Sequence, residues 1–139
     1  MIVIIDERPV VNAGFQSWFV REGVAASGFL PGEFDSWIAS VADNDLAAVE
    51  AFLLGAAGHR IELAQKIRGR AGAPLIGLND EKSLEETLAL LAAGADDVVR
   101  KPVHVRELLA RVSAIRRRMR ADECSIKVGD IRIFSDGRD

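Results

Sequence analysis

The stretch 94–118, GADDVVRKPVHVRELLARVSAIRRR, contains the strongest structural pattern in the chain. Gly94 is a typical helix end, 97–100 has the composition of a short β-strand, and a long amphipathic helix follows Pro102. Working towards the amino terminus, apolar runs alternate with helical patterns in the same way. The sequence therefore predicts an α/β protein in which each strand is followed by a helix.

Five strand–helix units are predicted. The strands are 2–5, 24–29, 45–49, 73–78 and 97–100, and the helices begin near Pro9, Pro31, Arg60, Ser83 and His104. Five units in this order imply a doubly wound, five-stranded parallel sheet with helices on both faces, the flavodoxin-like (βα)5 arrangement. The helical pattern ends near Arg120, so we expect residues 1–120 to form one domain and 121–139 to be a separate segment.

The composition is that of a globular protein, with 49% hydrophobic and 28% charged residues in 139 positions. The net charge of −3 gives no overall basic field for nucleic acid. Residues 100–120 nevertheless carry eight Lys and Arg residues and the single acid Glu107. Such a cationic run is either a solvated helix face or a contact surface for an anionic partner.

Other classes of protein are disfavoured. One cysteine, Cys124, allows no internal disulfide and is compatible with a reducing compartment. His59 and His104 lie far apart without the spacing of a zinc site. The apolar start is too short for a signal peptide, and no run is long enough to cross a bilayer. We expect a cytoplasmic protein without a membrane partner.

Binding sites in a doubly wound sheet form outside the carboxyl ends of the strands. The residues predicted to follow those ends are Asp6 and Glu7, Glu50, Asn79 and Lys101. Three acids, one amide and one lysine are therefore expected to line a single crevice.

The stretch 94–118 resembles the signature of response-regulator receiver domains of the OmpR/PhoB class, and the resemblance covers residues 1–120. More narrowly, MIVIIDERP, AVEAFLLG, DDVVRKPVH and FSDGRD together resemble atypical flagellar regulators of alphaproteobacteria, the FtcR/Rem type. The tail 125–139 is similar to the first β-segment of a winged-helix DNA-binding domain. The resemblance implies that 121–139 is a linker and the truncated start of that domain, and that the protein is not an enzyme.

The resemblance also assigns roles to individual residues. Lys101 falls on the lysine that contacts phosphoryl oxygens, and Pro102 follows it in an expected cis linkage. Asp6 falls on the second acid of the Mg²⁺-binding pair, whose first position is Ile5. The phosphoacceptor position is assigned to Glu50.

Two positions of the family's conformational switch differ as well. The Thr/Ser position falls on Asn79 and the aromatic position on Val98. With Ile5 in the acid pair, Asp6 and Glu50 make a poor ligand set for Mg²⁺. Together these departures predict a receiver that does not use aspartyl phosphorylation and needs no cofactor.

Glu50 then requires another role, and an ion pair with Lys101 is predicted for it. Such a pair either imitates the phosphorylated state or is an inert relic; both readings stay open. Two alternative functions also stay open: a conventional receiver phosphorylated on Glu50 or Asp6, and a Mg²⁺-dependent phosphatase-like enzyme.

Family receivers form homodimers, and the resemblance implies pairing through the helix at 83–94, the strand at 97–100 and the helix at 104–119. The residues predicted to form this face are Leu88, Leu91, Asp96, Asp97, Glu107, Leu109, Arg111, Arg117 and Arg118. Promoter DNA would bind through a C-terminal domain. Whether a histidine kinase docks is left open.

Overall fold

The computed structural model describes the backbone of residues 1–132 and the side chains of residues 1–121. Five parallel strands form one sheet in the order β2-β1-β3-β4-β5. The strands are β1 (Ile2–Ile5), β2 (Ala26–Phe29), β3 (Ala51–Leu54), β4 (Leu75–Asn79) and β5 (Asp97–Arg100). The strand order reverses beside β1, as in a flavodoxin-like sheet. The predicted fold class is confirmed.

Helices cover both faces of the sheet. They are α1 (Pro9–Arg21), α2 (Pro31–Ser40), the short α3 (Asp43–Ala47), α4 (Arg60–Arg70), α5 (Leu84–Ala93) and α6 (Val105–Arg132). Alternate strand residues feed two separate cores: Phe52 packs with Phe34 of α2 on one face, and Leu53 packs with Phe19 of α1 on the other. In the described part of the chain, no helix combines the length and the hydropathy that a bilayer crossing requires.

The predicted ends of α5 are confirmed. The Ser83 hydroxyl accepts a hydrogen bond from the Glu86 amide at 3.2 Å, which caps the first turn. Gly94 follows the last turn with a φ of 120°, a conformation that residues with a Cβ rarely adopt. These local signals fix the position of α5 and of the strand after it.

The third strand was predicted in the wrong place. Residues 45–49 were expected to form it, but Asp43–Ala47 is helical and β3 begins at Ala51. The pairing of β1 with β3 sets this register, with Ile2 opposite Ala51 and Ile5 opposite Leu54. Glu50 therefore precedes β3 instead of following it.

The predicted helix end near Arg120 also differs from the structure. Helix α6 continues without a break to Arg132, so 126–132 is helical where a strand was expected. The rest of that prediction, with the motif FSDGRD, lies in 133–139, outside the described residues.

Candidate functional site

The carboxyl ends of β1, β4 and β5 bring Asp6, Asn79 and Lys101 into one crevice, as the sequence predicted. The Lys101 ammonium lies 3.6 Å from Asp6 Oδ2, and the Lys101 amide donates to the Asn79 carbonyl at 2.8 Å. Asp6 and Asn79 are both buried. Glu7 is exposed beside the crevice, and its backbone amide donates to the Ala56 carbonyl at 2.8 Å.

Glu50 lies at the opposite end of the sheet. Its amide donates to the Met1 carbonyl at 2.8 Å, and its Oε2 lies 3.3 Å from the amino-terminal nitrogen of Met1. A four-residue strand, roughly 13 Å long, separates this end from the crevice. The predicted ion pair between Glu50 and Lys101 is therefore wrong. Glu50 also cannot be the phosphoacceptor equivalent or a metal ligand beside Asp6.

The residue that directly follows β3 is Gly55. A Cβ built on Gly55 would overlap the Asp6 carboxylate, well inside any normal van der Waals contact. Gly55 is therefore the residue at the carboxyl end of β3, where the family resemblance requires an acceptor carboxylate. Glycine supplies none, and the space for a side chain is already filled.

The Arg8 side chain occupies the centre of the crevice. Its Nε donates to Asp6 Oδ1 and its Nη2 to Asp6 Oδ2, both at 3.0 Å. The same Nη2 donates to Asp80 Oδ2 at 2.9 Å. The Arg8 guanidinium therefore binds both oxygens of the buried carboxylate and holds a second acid at the rim.

Lys101, which directly follows β5, completes this cluster. Its ammonium lies 3.2 Å from Asp80 Oδ1 as well as 3.6 Å from Asp6. Two cations and two carboxylates are thus mutually paired, and the cluster is close to neutral.

These contacts set the pKa values of the two acids. Burial raises the pKa of Asp6, but hydrogen bonds from Arg8 and the Ala56 amide and the charge of Lys101 outweigh it, so the pKa is lowered. Burial likewise raises the pKa of Asp80, but hydrogen bonds from Lys101 and Arg8 outweigh the effect of burial. The pKa of Asp80 is therefore lowered as well. Both acids are ionised at neutral pH.

A third cation, Arg60 at the start of α4, spans the ends of β3 and β4. Its Nη1 donates to Asn79 Oδ1 at 2.7 Å, and its Nη2 donates to the carbonyls of Leu54 at 3.1 Å and Leu78 at 3.2 Å. Glu86 lies 3.3 Å away as its ionic partner. The side chain of Asn79 at the switch position is therefore held in place by Arg60.

The crevice does not fit Mg²⁺. Of the acid pair and acceptor that the resemblance requires, Ile5 and Gly55 carry no carboxylate and only Asp6 remains. Both Asp6 oxygens already accept bonds from Arg8, so the guanidinium takes the place of a divalent ion. Among the described residues, no three His, Cys, Asp or Glu side chains come together as a metal site.

Two further expectations concern the strand ends. The Lys101–Pro102 peptide bond is cis, as predicted. Val98 is half-buried on β5 and packs against the core that contains Leu90. The aromatic switch position is therefore filled by an aliphatic side chain packed into the sheet.

On the expected dimer face, Leu88 and Leu91 are exposed, at 56% and 42%. Arg111 pairs with Asp97 at 2.9 Å and with Glu107 at 3.0 Å in its own chain. The predicted cross-subunit partners thus already pair within one subunit.

The remaining members of this face differ in their surroundings. Asp96 accepts a bond from the Leu75 amide at 2.8 Å and lies 3.6 Å from Arg68, so it stabilises the fold. Leu109 is half-buried and contacts the α1–α6 core. Arg117 and Arg118 line a shallow recess on α6 beside Asp97.

Sequence reasoning missed Gly55, Arg8, Arg60 and Asp80. Each had a local signal: Gly55 directly follows an apolar run, Arg8 and Asp80 stand next to predicted site residues, and Arg60 opens a predicted helix. The misplaced third strand concealed Gly55. The partners of the other three depend on how loops fold back over the sheet.

A scan against protein-family models found no match. Similarity to individual proteins is clear. The chain is 52% identical, over its whole length, to the flagellar transcriptional regulator FtcR of Brucella abortus (strain 2308), and it spans 63% of that protein. It is 32% identical over 93% of its length to the sensory transduction protein RegX3 of Mycobacterium tuberculosis (strain ATCC 25618 / H37Rv), spanning 56% of it.

Solved structures agree with this relationship. The receiver domain of the TMAO respiratory response regulator TorR matches with a TM-score of 0.67 and 29% identity, over 84% of this chain and 96% of that one. The chain thus spans 56–63% of the length of these two curated relatives and nearly the whole of a solved receiver domain.

Proposed function

This chain belongs to the receiver domains of OmpR-type response regulators. We therefore propose that it is the regulatory domain of a flagellar transcription regulator and that it acts without being phosphorylated on aspartate. The name of its 52% identical relative supports the flagellar and transcriptional role. The names of the relatives describe regulators and not enzymes, which argues against the phosphatase alternative.

One observation carries the proposed independence from phosphorylation: the residue after β3 is Gly55. A phosphoaspartate requires a carboxylate at a fixed in-line position, and misplacement by about 1 Å can cost a hundredfold in rate. Asp6 is no substitute, because its two oxygens are engaged by Arg8 and the pocket has no room beside Gly55. This argues against the conventional receiver alternative as well.

Internal ion pairs are proposed to take the place of the phosphoryl group and metal: Arg8 supplies the positive charge, and Asp6 and Asp80 supply the negative charge. Arg8 ties β1 to the β4 loop through Asp80, and Arg60 ties β3 to β4 through Asn79. The receiver is therefore proposed to hold a single conformation at rest.

In that conformation we expect a two-fold homodimer through α5, β5 and α6. Leu84, Leu88 and Leu91 present exposed apolar surface on α5. The paired Asp97 and Arg111 stand beside it and can exchange partners across a two-fold axis. Dimerisation would bring two DNA-binding domains together on a promoter.

The phosphorylation test uses a small phosphodonor with Mg²⁺ and intact-mass measurement. We expect no covalent phosphoryl adduct on this chain, whereas a receiver that carries the acceptor aspartate gives one under identical conditions. An adduct on Asp6, Asp80 or any other side chain would contradict the proposal.

The transcriptional role is tested separately in the source bacterium. Deleting the gene should lower flagellar transcripts, and the full-length gene should restore them. A complementing gene whose Asp6 is changed to Asn isolates the crevice, because it removes charge without changing size. Unchanged flagellar transcripts in the deletion strain would contradict the flagellar assignment.

A further inference from the structure

A groove of about 590 Å³ lies between α1 and the loop that joins β5 to α6. This volume is within the range of small-molecule sites, about 300–1,000 Å³. The groove borders the crevice cluster at Lys101 but extends away from it along α1. None of the roles proposed above uses it.

Aromatic and aliphatic side chains line most of the groove. Phe15 and Trp18 of α1 form one wall, and Pro102 and Val103 form the other. Trp18 is 51% exposed, which is unusual for so large an apolar side chain. Gly14 lies on the α1 side of the groove, and a Cβ built on it meets no heavy atom within 4 Å. The groove is therefore open beside Gly14, and its aromatic lining suits a flat ring.

The end of the groove next to the crevice is polar. Arg8, Asp80 and Lys101 line it. Within the described residues, the hydrogen bonds of the Arg8 side chain use Nε and Nη2, which leaves Nη1 as a donor. The charges of this end are already balanced by Asp6 and Asp80, so a further anion would be uncompensated. A neutral oxygen acceptor suits it better.

We propose that this groove binds a neutral, planar aromatic molecule bearing a carbonyl or hydroxyl oxygen. The ring lies between Trp18 and Pro102, and the oxygen accepts hydrogen bonds from Arg8 or Lys101. The site does not depend on the proposed function, since it is formed whether or not the crevice is ever phosphorylated.

The test titrates the ¹⁵N-labelled chain with coumarin and with 2-naphthol, following amide signals by NMR. We expect saturable shifts confined to α1 and residues 101–105. The matched anion 2-naphthoate, with the same ring system, should bind at least about tenfold more weakly.

A blocking variant and its control separate this site from nonspecific binding. Gly14→Leu puts a side chain into the groove, and leucine favours a helix more than glycine does. Gly69→Leu is the control, because Gly69 is also helical with open space at its Cβ but lies on α4. Binding should disappear in the first variant and persist in the second, and Trp18→Ala should also weaken it.

Three results would overturn the proposal. One is unsaturable or chain-wide shifts with both neutral probes. Another is equal binding by Gly14→Leu and Gly69→Leu. The third is that diluting the protein alone moves the same signals, because the groove would then hold a second copy of this chain.

Discussion

The Arg60 guanidinium donates a 2.7 Å hydrogen bond to Asn79 Oδ1 and so joins the start of α4 to the end of β4. Arg60 is only 11% exposed, and its other partners are two backbone carbonyls and the carboxylate of Glu86. Burial lowers the pKa of Arg60, and Glu86 opposes that effect. The residue at the switch position is thus bound by a cation from the protein itself.

Replacing this arginine by lysine is expected to be costly. In Arg60→Lys one ammonium cannot reach Asn79 and two carbonyls in the same plane, so buried acceptors lose partners. The free energy of unfolding should fall by about 2–3 kcal/mol in urea denaturation. Arg100→Lys, at an exposed position on β5, is the matched control and should change it by under about 0.5 kcal/mol. An equal change in the free energy of unfolding for Arg60→Lys and Arg100→Lys would contradict the structural role of Arg60.

The lack of space at Gly55 predicts the effect of adding one methyl group. Gly55→Ala forces a Cβ against the Asp6 carboxylate, which Arg8 and the Ala56 amide hold in place. We expect a loss of about 1–3 kcal/mol in unfolding free energy. Gly58→Ala, where a Cβ meets nothing within 4 Å, should be nearly neutral. A stable Gly55→Ala protein would show that the crevice can relax.

Removing Arg8 should make stability depend differently on pH. The folded pKa of Asp6 is lowered, so its pairing stabilises the protein above the ordinary carboxylate pKa, and this is lost as the pH falls through the folded pKa. Without the Arg8 side chain, the largest contribution that lowers the pKa of Asp6 is lost, so this pKa rises relative to the native protein. Arg8→Ala should cost about 2 kcal/mol near neutral pH, a figure reduced because Arg8 is 39% exposed.

That difference in unfolding free energy should begin to narrow where the pH falls through the raised pKa of Asp6 in Arg8→Ala. It should continue to narrow down to the lowered pKa of Asp6 in the native protein, because protonated Asp6 no longer needs the arginine. Thermal unfolding at a series of pH values measures it. Arg106→Ala, which breaks the ion pair with Glu22, is the control and should change the stability little at any of these pH values. If Arg8→Ala and the native protein differed in stability by the same amount at every pH, the proposed link between Arg8 and the pKa of Asp6 would be contradicted.

The proposed dimer predicts the result of placing a charge on α5. Leu88→Asp puts a carboxylate at the apolar centre twice, once from each subunit, so the dissociation constant should rise at least about tenfold. Val20→Asp makes the same change at a 63% exposed site on α1, outside the proposed face, and should not alter association. Sedimentation equilibrium at micromolar concentration measures both. A native chain that stays monomeric there would end the proposal.

Much of the fold was accessible from local patterns. Ser83 and Gly94 mark the ends of α5 because a hydroxyl cap and a positive φ are properties of single residues. The β-branched run of β1 and the strand before Lys101–Pro102 were also correctly located. Since these positions follow from neighbours within a few residues, no knowledge of the remainder of the chain was needed.

The sequence alone thus determined the strand–helix order, the position of Asp6, Asn79 and Lys101, and the family. The position of β3 was not determined, because apolar residues flank Glu50 on both sides and periodicity does not choose between them. Pairing with β1 and β4 made that choice and placed Gly55 at the crevice. The partners of Arg8 and Arg60 were likewise decided by tertiary structure, because a long cationic side chain takes whichever buried acceptors the folded strands bring within its reach.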